Sequence, residues 1–313
     1  MTLLEACCTS IESAQEMLQA GAHRVELCSN LECGGLTPTW LSRLCDDPSL
    51  GTPSPDGSHQ ASPSSGGPPH QASPSPGGPS RQNAFAPPSD REITAGLSTS
   101  DDPLQLSGKS FLDRAHVLIR CRPGDFYYSQ AEVDQMCQSI RLCREAGVRG
   151  VVIGALTQEG HPDLPALRQM IRAATGPGTL NSSEVLETAT NRVSAAYYAD
   201  RPDTGIATGY RPLRIVFHRA FDECTDSLGT LEQIINLGFH TLLTSGHAPT
   251  AEEGISLLKQ LVDKAAGRIT IMAGKGVNIN NVAKIVEQTR VPAIHLSERP
   301  GISEILRHLS ILK

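Results

Sequence analysis

No window of the 313 residues holds the roughly 18 or more consecutive apolar residues of a membrane-spanning helix. No basic run is present either. A net charge of −6 and a pI near 5.9 lack the positive field that nucleic acid or an anionic membrane surface would attract. The N-terminus, MTLLEACCTS, has neither the charged n-region nor the long apolar h-region of a secretory leader. The nine cysteines are odd in number and show no even framework spacing. Free thiols in a reducing, intracellular compartment are the expectation. No Gly-rich dinucleotide fingerprint follows the first strand-like run, which disfavours a doubly wound nucleotide-binding sheet.

What is present divides unevenly. The apolar fraction, 39%, is slightly low for a globule, and the shortfall sits in one place. Residues 46–108 are Pro, Ser and Gly with scattered His, and contain the near repeat HQASPSSGGP (59–68) and HQASPSPGGP (70–79). Such a segment cannot bury enough surface to offset its ordering entropy, so a disordered insertion is expected. A tandem expansion in a solvated loop accounts for its histidines better than a metal site does. A second insertion is expected over 176–211, around TGPGTLNSSE and DRPDTGIATGYRP.

With those segments set aside, strand-like and helix-like stretches alternate. Strands are expected over 3–8, 24–28, 116–120, 150–156, 213–217, 241–244, 269–272 and 293–296. Helices are expected over 11–20, 37–44, 129–145, 163–173, 228–237, 251–266, 279–288 and 303–309. Ser129 with Glu132 three residues later forms a capping box, and Gly21, Gly147 and Gly238 read as stops. Eight strand–helix pairs in strict order indicate an α/β fold, a single (β/α)8 TIM-type barrel spanning 1–313.

Such a barrel carries its chemistry at the C-terminal ends of its strands. Candidates there are Glu5, Glu26, Arg120, Arg122, Asp125, His218, Arg219, Asp222 and His295. One reading is a polar plug in which Glu5 and Glu26 pair with Arg120 and Arg219. The other is a ligand site, because so many ionisable groups converge on one face. Two strands repeat a Glu-x-Cys spacing, Glu5/Cys7 and Glu26/Cys28. Residues two apart share a strand face, so acid and thiol point the same way. Equal offsets after each glutamate put the two thiols at similar height on neighbouring strands. Facing thiols suit a soft ion of low coordination number, Cu(I) foremost. Plain packing of small buried residues is the competing reading.

The stretches LEACCTSIESAQEMLQAGAHRVELCSNLECGGLTPT, IRCRPGDFYYSQAEVDQM, GVVIGALTQEGHPD, FHRAFDECTDSLGTLEQIINLGFHTLLTSG and GRITIMAGKGV resemble the CutC family of copper-homeostasis proteins. The resemblance implies a TIM-type barrel, a cytoplasmic or also nuclear location, self-association into a homo-oligomer, and a role in copper handling. It carries copper binding onto Cys7 and Cys28, and a polar mouth onto the nine candidates above. The chain departs from the family pattern in places. Arg120-Cys121-Arg122-Pro123-Gly124-Asp125 stands where the family has Arg-Pro-Arg-Gly-Gly-Asp, and Pro123 fixes φ where a glycine is free. That predicts a re-aimed loop around Asp125. Lys275 adds a cation to the turn after strand seven, and ERPGISEILRHLSILK replaces the family's extended tail.

Three functions compete at this level. The first is copper homeostasis through Cu(I) on Cys7 and Cys28. The second is an enzyme acting on a small anionic metabolite, with Arg120, Arg122 and Arg219 as an anion clamp and Glu5, Glu26 or His218 as acid or base. The third is a barrel kept as an interaction scaffold through its Pro/Ser/Gly insertion.

Overall fold

The structure, a computed structural model, describes residues 2–47, 50, 110–176, 212–297 and 301–311. Nearly all of both expected insertions lies outside the described residues. Eight parallel strands close into a barrel in sequence order. They are β1 (Leu3–Cys8), β2 (Arg24–Leu27), β3 (Ala115–Leu118), β4 (Gly150–Ile153), β5 (Arg214–Phe217), β6 (Thr241–Thr244), β7 (Thr270–Ala273) and β8 (Ala293–Ser297). The helices among the described residues are α1 (Ile11–Gln19), α2 (Arg43–Asp46), α3 (Gln130–Ala146), α4 (Leu164–Thr175), α5 (Ser227–Asn236), α6 (Ile255–Ala265), α7 (Val282–Thr289) and α8 (Ile302–Ile311). The expected (β/α)8 barrel is the observed one. None of these helices is long and apolar enough to cross a membrane.

The strands are buried on both faces, for different reasons. Leu4, Ala6 and Cys8 on β1, Val25 and Leu27 on β2, and Ala115, Val117 and Ile119 along β3 pack outward in the layer shared with the helices. The alternate residues turn inward. Leu3, Cys7, Cys28, Leu118, Val152, Val216, Leu243, Met272 and Ala293 form a separate inner cluster. Glu5, Arg24, Glu26 and His116 are buried polar residues on the same inward parity. Gly150 leaves room for one of them, since a Cβ there would lie 2.9 Å from the His116 ring. The last seam joins β8 to β1 with Glu5 opposite His295 and Cys7 opposite Ser297.

Helix starts follow local chemistry. Ser129 accepts from the Glu132 N–H while Glu132 reaches back to the Ser129 N–H, the expected capping box, and Gly147 ends α3 at φ 76°. Asp163 and Asp226 cap α4 and α5 in the same way. Two expected helices are shorter than the sequence suggests. Over 37–44 only Arg43 and Leu44 are helical, because Thr37 is committed elsewhere. Its N–H donates to the Arg120 carbonyl and its hydroxyl accepts the Arg120 N–H. The expected helix over 251–266 begins only at Ile255, because the preceding turn is held by Gly254 against the Ser245 carbonyl, where a Cβ would lie 1.8 Å from that oxygen. Ser129→Ala removes one half of the capping box and is expected to lower stability by about 1 kcal/mol. Urea unfolding followed by circular dichroism measures it, and an unchanged midpoint would show the cap to be redundant.

Candidate functional site

The inner face of β1, β2, β3 and β8 carries a buried polar cluster. Glu5 stands at its centre, fully buried. The Arg24 Nε–H donates to Glu5 Oε2 at 2.5 Å, and His116 Nδ1 approaches the same oxygen at 3.2 Å. His295 Nδ1 lies 2.9 Å from Glu5 Oε1. Burial alone would raise the Glu5 pKa. The Arg24 charge and the hydrogen bonds from His116 and His295 overcome it and hold the carboxyl well below the ordinary range. Glu5 is therefore an anion, and the Nδ1 of His295 that faces it carries the proton. The Arg24 guanidinium also contacts the Met272 sulfur at 3.6 Å.

Glu26 is a second acid with a different fate. Its burial pushes the pKa up to about 7, with His295 nearby opposing the shift. Oε1 receives a long contact from the Cys7 thiol at 3.6 Å, and Oε2 has no hydrogen-bond partner among the described residues. For His295, burial disfavours the charged form, but Glu26 and Glu5 together outweigh burial and raise its pKa. Two acids on one barrel wall are thus pushed apart, one locked as an anion and one sharing its proton near neutrality.

Cys7 and Cys28 lie with their sulfurs 3.1 Å apart, both buried. The sequence expectation of equal height needs correcting. The strand register places Cys7 opposite Glu26, not opposite Cys28. The stagger of a closed barrel offsets the strands by two residues, so the thiols meet diagonally on one face. The mutual hydrogen bond, then burial, then the negative Glu26 raise the Cys7 pKa well above that of an ordinary thiol. Ligand atoms of Cys7, Glu26 and His295 fall within 4.8 Å of one another. Cys8 faces the opposite way, in the helix-side core, as its parity requires.

The remaining candidates separate into two groups. Arg122 and Asp125 are at the surface: Arg122 pairs with Asp125 at 2.9 Å and with Glu132 at 2.5 Å, and the Asp125 side chain is 68% exposed. The loop expected to be re-aimed by Pro123 is closed on itself by this pair of bridges. Arg219 pairs with Asp222 at 3.0 Å. Asp222 also accepts from the Thr244 hydroxyl, from the Ser245 N–H and hydroxyl, and from the His247 N–H. It ties the β5 and β6 loops together. Neither Arg120 nor Arg219 pairs with Glu5 or Glu26, so the expected polar plug is not how the acids are held. Arg24, absent from the candidates, does that work. Its inward parity with Glu26 and Cys28 was the signal that could have found it, and the same reasoning applies to His116. Lys275 is exposed, with a positive φ of 76°, and its carbonyl receives the Ala251 N–H.

Arg120 and His218 occupy another part of the mouth. Both are buried and flank Phe126, with the Arg120 Cζ 4.8 Å and the His218 ring 4.9 Å from the Phe126 ring centre. Burial, then the Arg120 charge, lower the His218 pKa to about 3, so the imidazole is neutral. Its Nδ1 accepts from the Ala220 N–H, which assigns the ring proton to Nε2.

The architecture and this mouth define a TIM-type barrel protein with a buried thiol–carboxylate–imidazole cluster at the strand ends. The sequence profile of the CutC family matches residues 2–43, 93–195 and 201–300. A Vibrio campbellii CutC family protein is 32% identical over 296 residues, covering 95% of this chain and 81% of its own length. A Bacteroides fragilis relative of the same name is 33% identical over 300 residues, covering 96% and 81%. The crystal structure of a Streptococcus agalactiae CutC, titled for copper homeostasis, superposes with a TM-score of 0.58 at 24% identity, covering 95% and 98%. That last likeness supports the fold. The chain belongs to the CutC family.

Two variants test the electrostatics. Arg24→Met leaves the Glu5 carboxylate buried without its cation, and is expected to cost about 3–5 kcal/mol of stability. Arg24→Met with Glu5→Gln should recover part of that loss in chemical denaturation. Glu26 is protonated more readily folded than unfolded, so between pH 4.5, its ordinary value, and about 7 the folded state binds the extra proton. Wild-type stability should therefore fall across that window as pH rises. Glu26→Gln should flatten the decline, and an unchanged pH profile would show that Glu26 titrates normally.

Proposed function

We propose that this CutC protein handles copper by holding Cu(I) as cargo between Cys7 and Cys28. The observation that carries the reading is the 3.1 Å approach of two buried thiols on neighbouring strands, with donor atoms of Glu26 and His295 beside Cys7. Soft sulfur donors in low number suit Cu(I) and offer little to the hard, oxygen-seeking ions. The donors fit once the pair opens. Sulfurs sharing one ion of low coordination number at bonds of roughly 2.3 Å sit about 4.0 Å apart at a trigonal angle and about 4.6 Å apart at a linear one, so the thiols must separate by roughly 1 Å or more from their mutual hydrogen bond. The name of the Streptococcus agalactiae protein, which speaks of copper homeostasis, agrees with a copper role.

Protons decide how such a site loads. Thiols must lose their protons to become ligands, and the raised Cys7 pKa opposes that loss in the free protein. The positive charge arriving with the ion offsets the repulsion between thiolate and Glu26. A protonated His295, held by Glu5, can balance the second thiolate. Cytoplasmic and nuclear compartments are reducing, which keeps the pair as free thiols. A second reading, acid–base chemistry on a small anionic metabolite, draws on the Glu26 pKa of about 7.

An anaerobic Cu(I) titration against a competing chelator tests the first reading. Wild type is expected to take up Cu(I) tightly, and Cys7→Ser with Cys28→Ser to lose at least a hundredfold in affinity, as two thiolate bonds are removed. Equal affinity in the two proteins would assign the thiols to packing.

A further inference from the structure

Arg120 is a buried cation without a counter-ion among the described residues. It is 6% exposed, and no acidic side chain among the described residues pairs with it. Its guanidinium carries five N–H groups. Two contacts of Nη1 go to the Cys33 and Gly35 carbonyls, and one of Nη2 goes to the Gly124 carbonyl. These three fix its plane but supply no negative charge. Nε has no partner among the described residues. The Nε–H and one Nη2 hydrogen are left. Burying a charge is costly unless it is paired. Buried polar atoms without partners are few in native proteins, and each calls for an explanation.

Two more such atoms gather around the same residues. His218 Nε2 is buried and has no partner among the described residues. Its neighbour Nδ1 is occupied as an acceptor, so Nε2 offers a hydrogen. The ring is held close against the end of β4. A Cβ on Gly154 would lie 2.5 Å from His218 Cε1, so any larger residue would displace the imidazole. Tyr128 is the third, its hydroxyl buried without a partner. Burial pushes its pKa to about 12, so it too keeps its hydrogen. The Arg122 guanidinium lies 5.2 Å from the Tyr128 ring, on its outer side of the loop.

We propose that Arg120, His218 and Tyr128, arranged around Phe126, form a binding site for the carboxylate of a small monoanionic molecule. The free atoms of Arg120 and His218 only donate, and the Tyr128 hydroxyl can donate as well, so the ligand presents acceptors. The two unused hydrogens of the planar Arg120 guanidinium suit the oxygens of a carboxylate. The set carries one positive charge, because His218 is neutral. A monoanion balances it, whereas a dianionic phosphate would bury a surplus negative charge. The site uses β3, β5 and their loops and none of the thiols, so it stands or falls separately from the copper reading.

The test titrates the full chain with sodium acetate, glycolate and pyruvate, and with inorganic phosphate for comparison, at ionic strength matched with sodium chloride. Thermal unfolding and the imidazole ¹⁵N signals of His218 are followed together. At least one carboxylate is expected to raise the unfolding midpoint saturably and to move the His218 Nε2–H signal. His218→Phe is expected to weaken that binding about tenfold, the effect of one lost hydrogen bond to a charged group. His218→Gln keeps a donor amide and should bind within about threefold of wild type. If His218→Phe fails to fold, the His218→Gln variant and the wild-type signal carry the decision. Cys7→Ser with Cys28→Ser should bind the carboxylate as wild type does. No saturable response to any of the three acids would overturn the proposal, as would unaltered affinity in a folded His218→Phe. Tighter binding of inorganic phosphate would overturn the assignment to a monoanion, and loss of binding in the double cysteine variant would move the anion to the thiols.

Discussion

The interior of this barrel depends on the ion pair between Arg24 and Glu5. An acid in that position cannot be solvated, so its charge depends first on the guanidinium of the next strand, with His116 and His295 adding to it. Once Glu5 is fixed as an anion, its other oxygen fixes His295, and the imidazole comes to stand beside Cys7 and Glu26. His116 is held by the same carboxylate, and Gly150 makes the space for it. A chain of contacts thus runs from β2 through β1 to β8, each member placed by the one before. Pairs of this kind contribute little net stability but are costly to break, which makes them better at specifying geometry than at strengthening a fold.

Two chemical environments share the barrel mouth. On β1, β2 and β8 the groups are thiols, carboxyls and an imidazole gathered around the Arg24–Glu5 ion pair, a set that includes metal-ligating atoms. On β3 and β5 the groups are a guanidinium, a neutral imidazole and a phenol, with positive character and free donors. The same barrel end therefore offers two different chemistries a few strands apart. The difference arises from which inward position on each strand is charged, because the backbone scaffold is alike throughout.

Much of the fold was legible in the sequence because its signals are local. Alternating apolar positions marked the strands, and the Ser129–Glu132 cap marked the start of α3 within a residue. The capping glycine at 147 marked its end. The helix expected over 37–44 was overestimated because Thr37 is claimed by Arg120, a partner 83 residues away in sequence. The site was legible in composition more than in pairing. Glu5, Glu26, Cys7, Cys28 and His295 do come together, and the facing of the two thiols followed from spacing two. Their register did not, since the stagger between strands is a property of barrel closure that no single strand encodes. The partners of the acids were misjudged for a related reason. Arg120 and Arg219 sit at strand ends, where function is expected, while Arg24 begins its strand and was overlooked although its parity matched.

The contact between Glu5 and His295 spans 290 positions of the chain. The first strand emerges from the ribosome with a carboxylate and a thiol on its inner face, and the strand that completes their surroundings is among the last made. Until β8 docks, Glu5 lacks its imidazole and Cys7 remains open at the seam. Contacts so distant in sequence form late, after the loop entropy of nearly the whole chain has been spent. The two thiols lie only 21 residues apart, on β1 and just past its neighbour β2, so they can meet before closure. What the closed barrel adds is the imidazole that stands beside them.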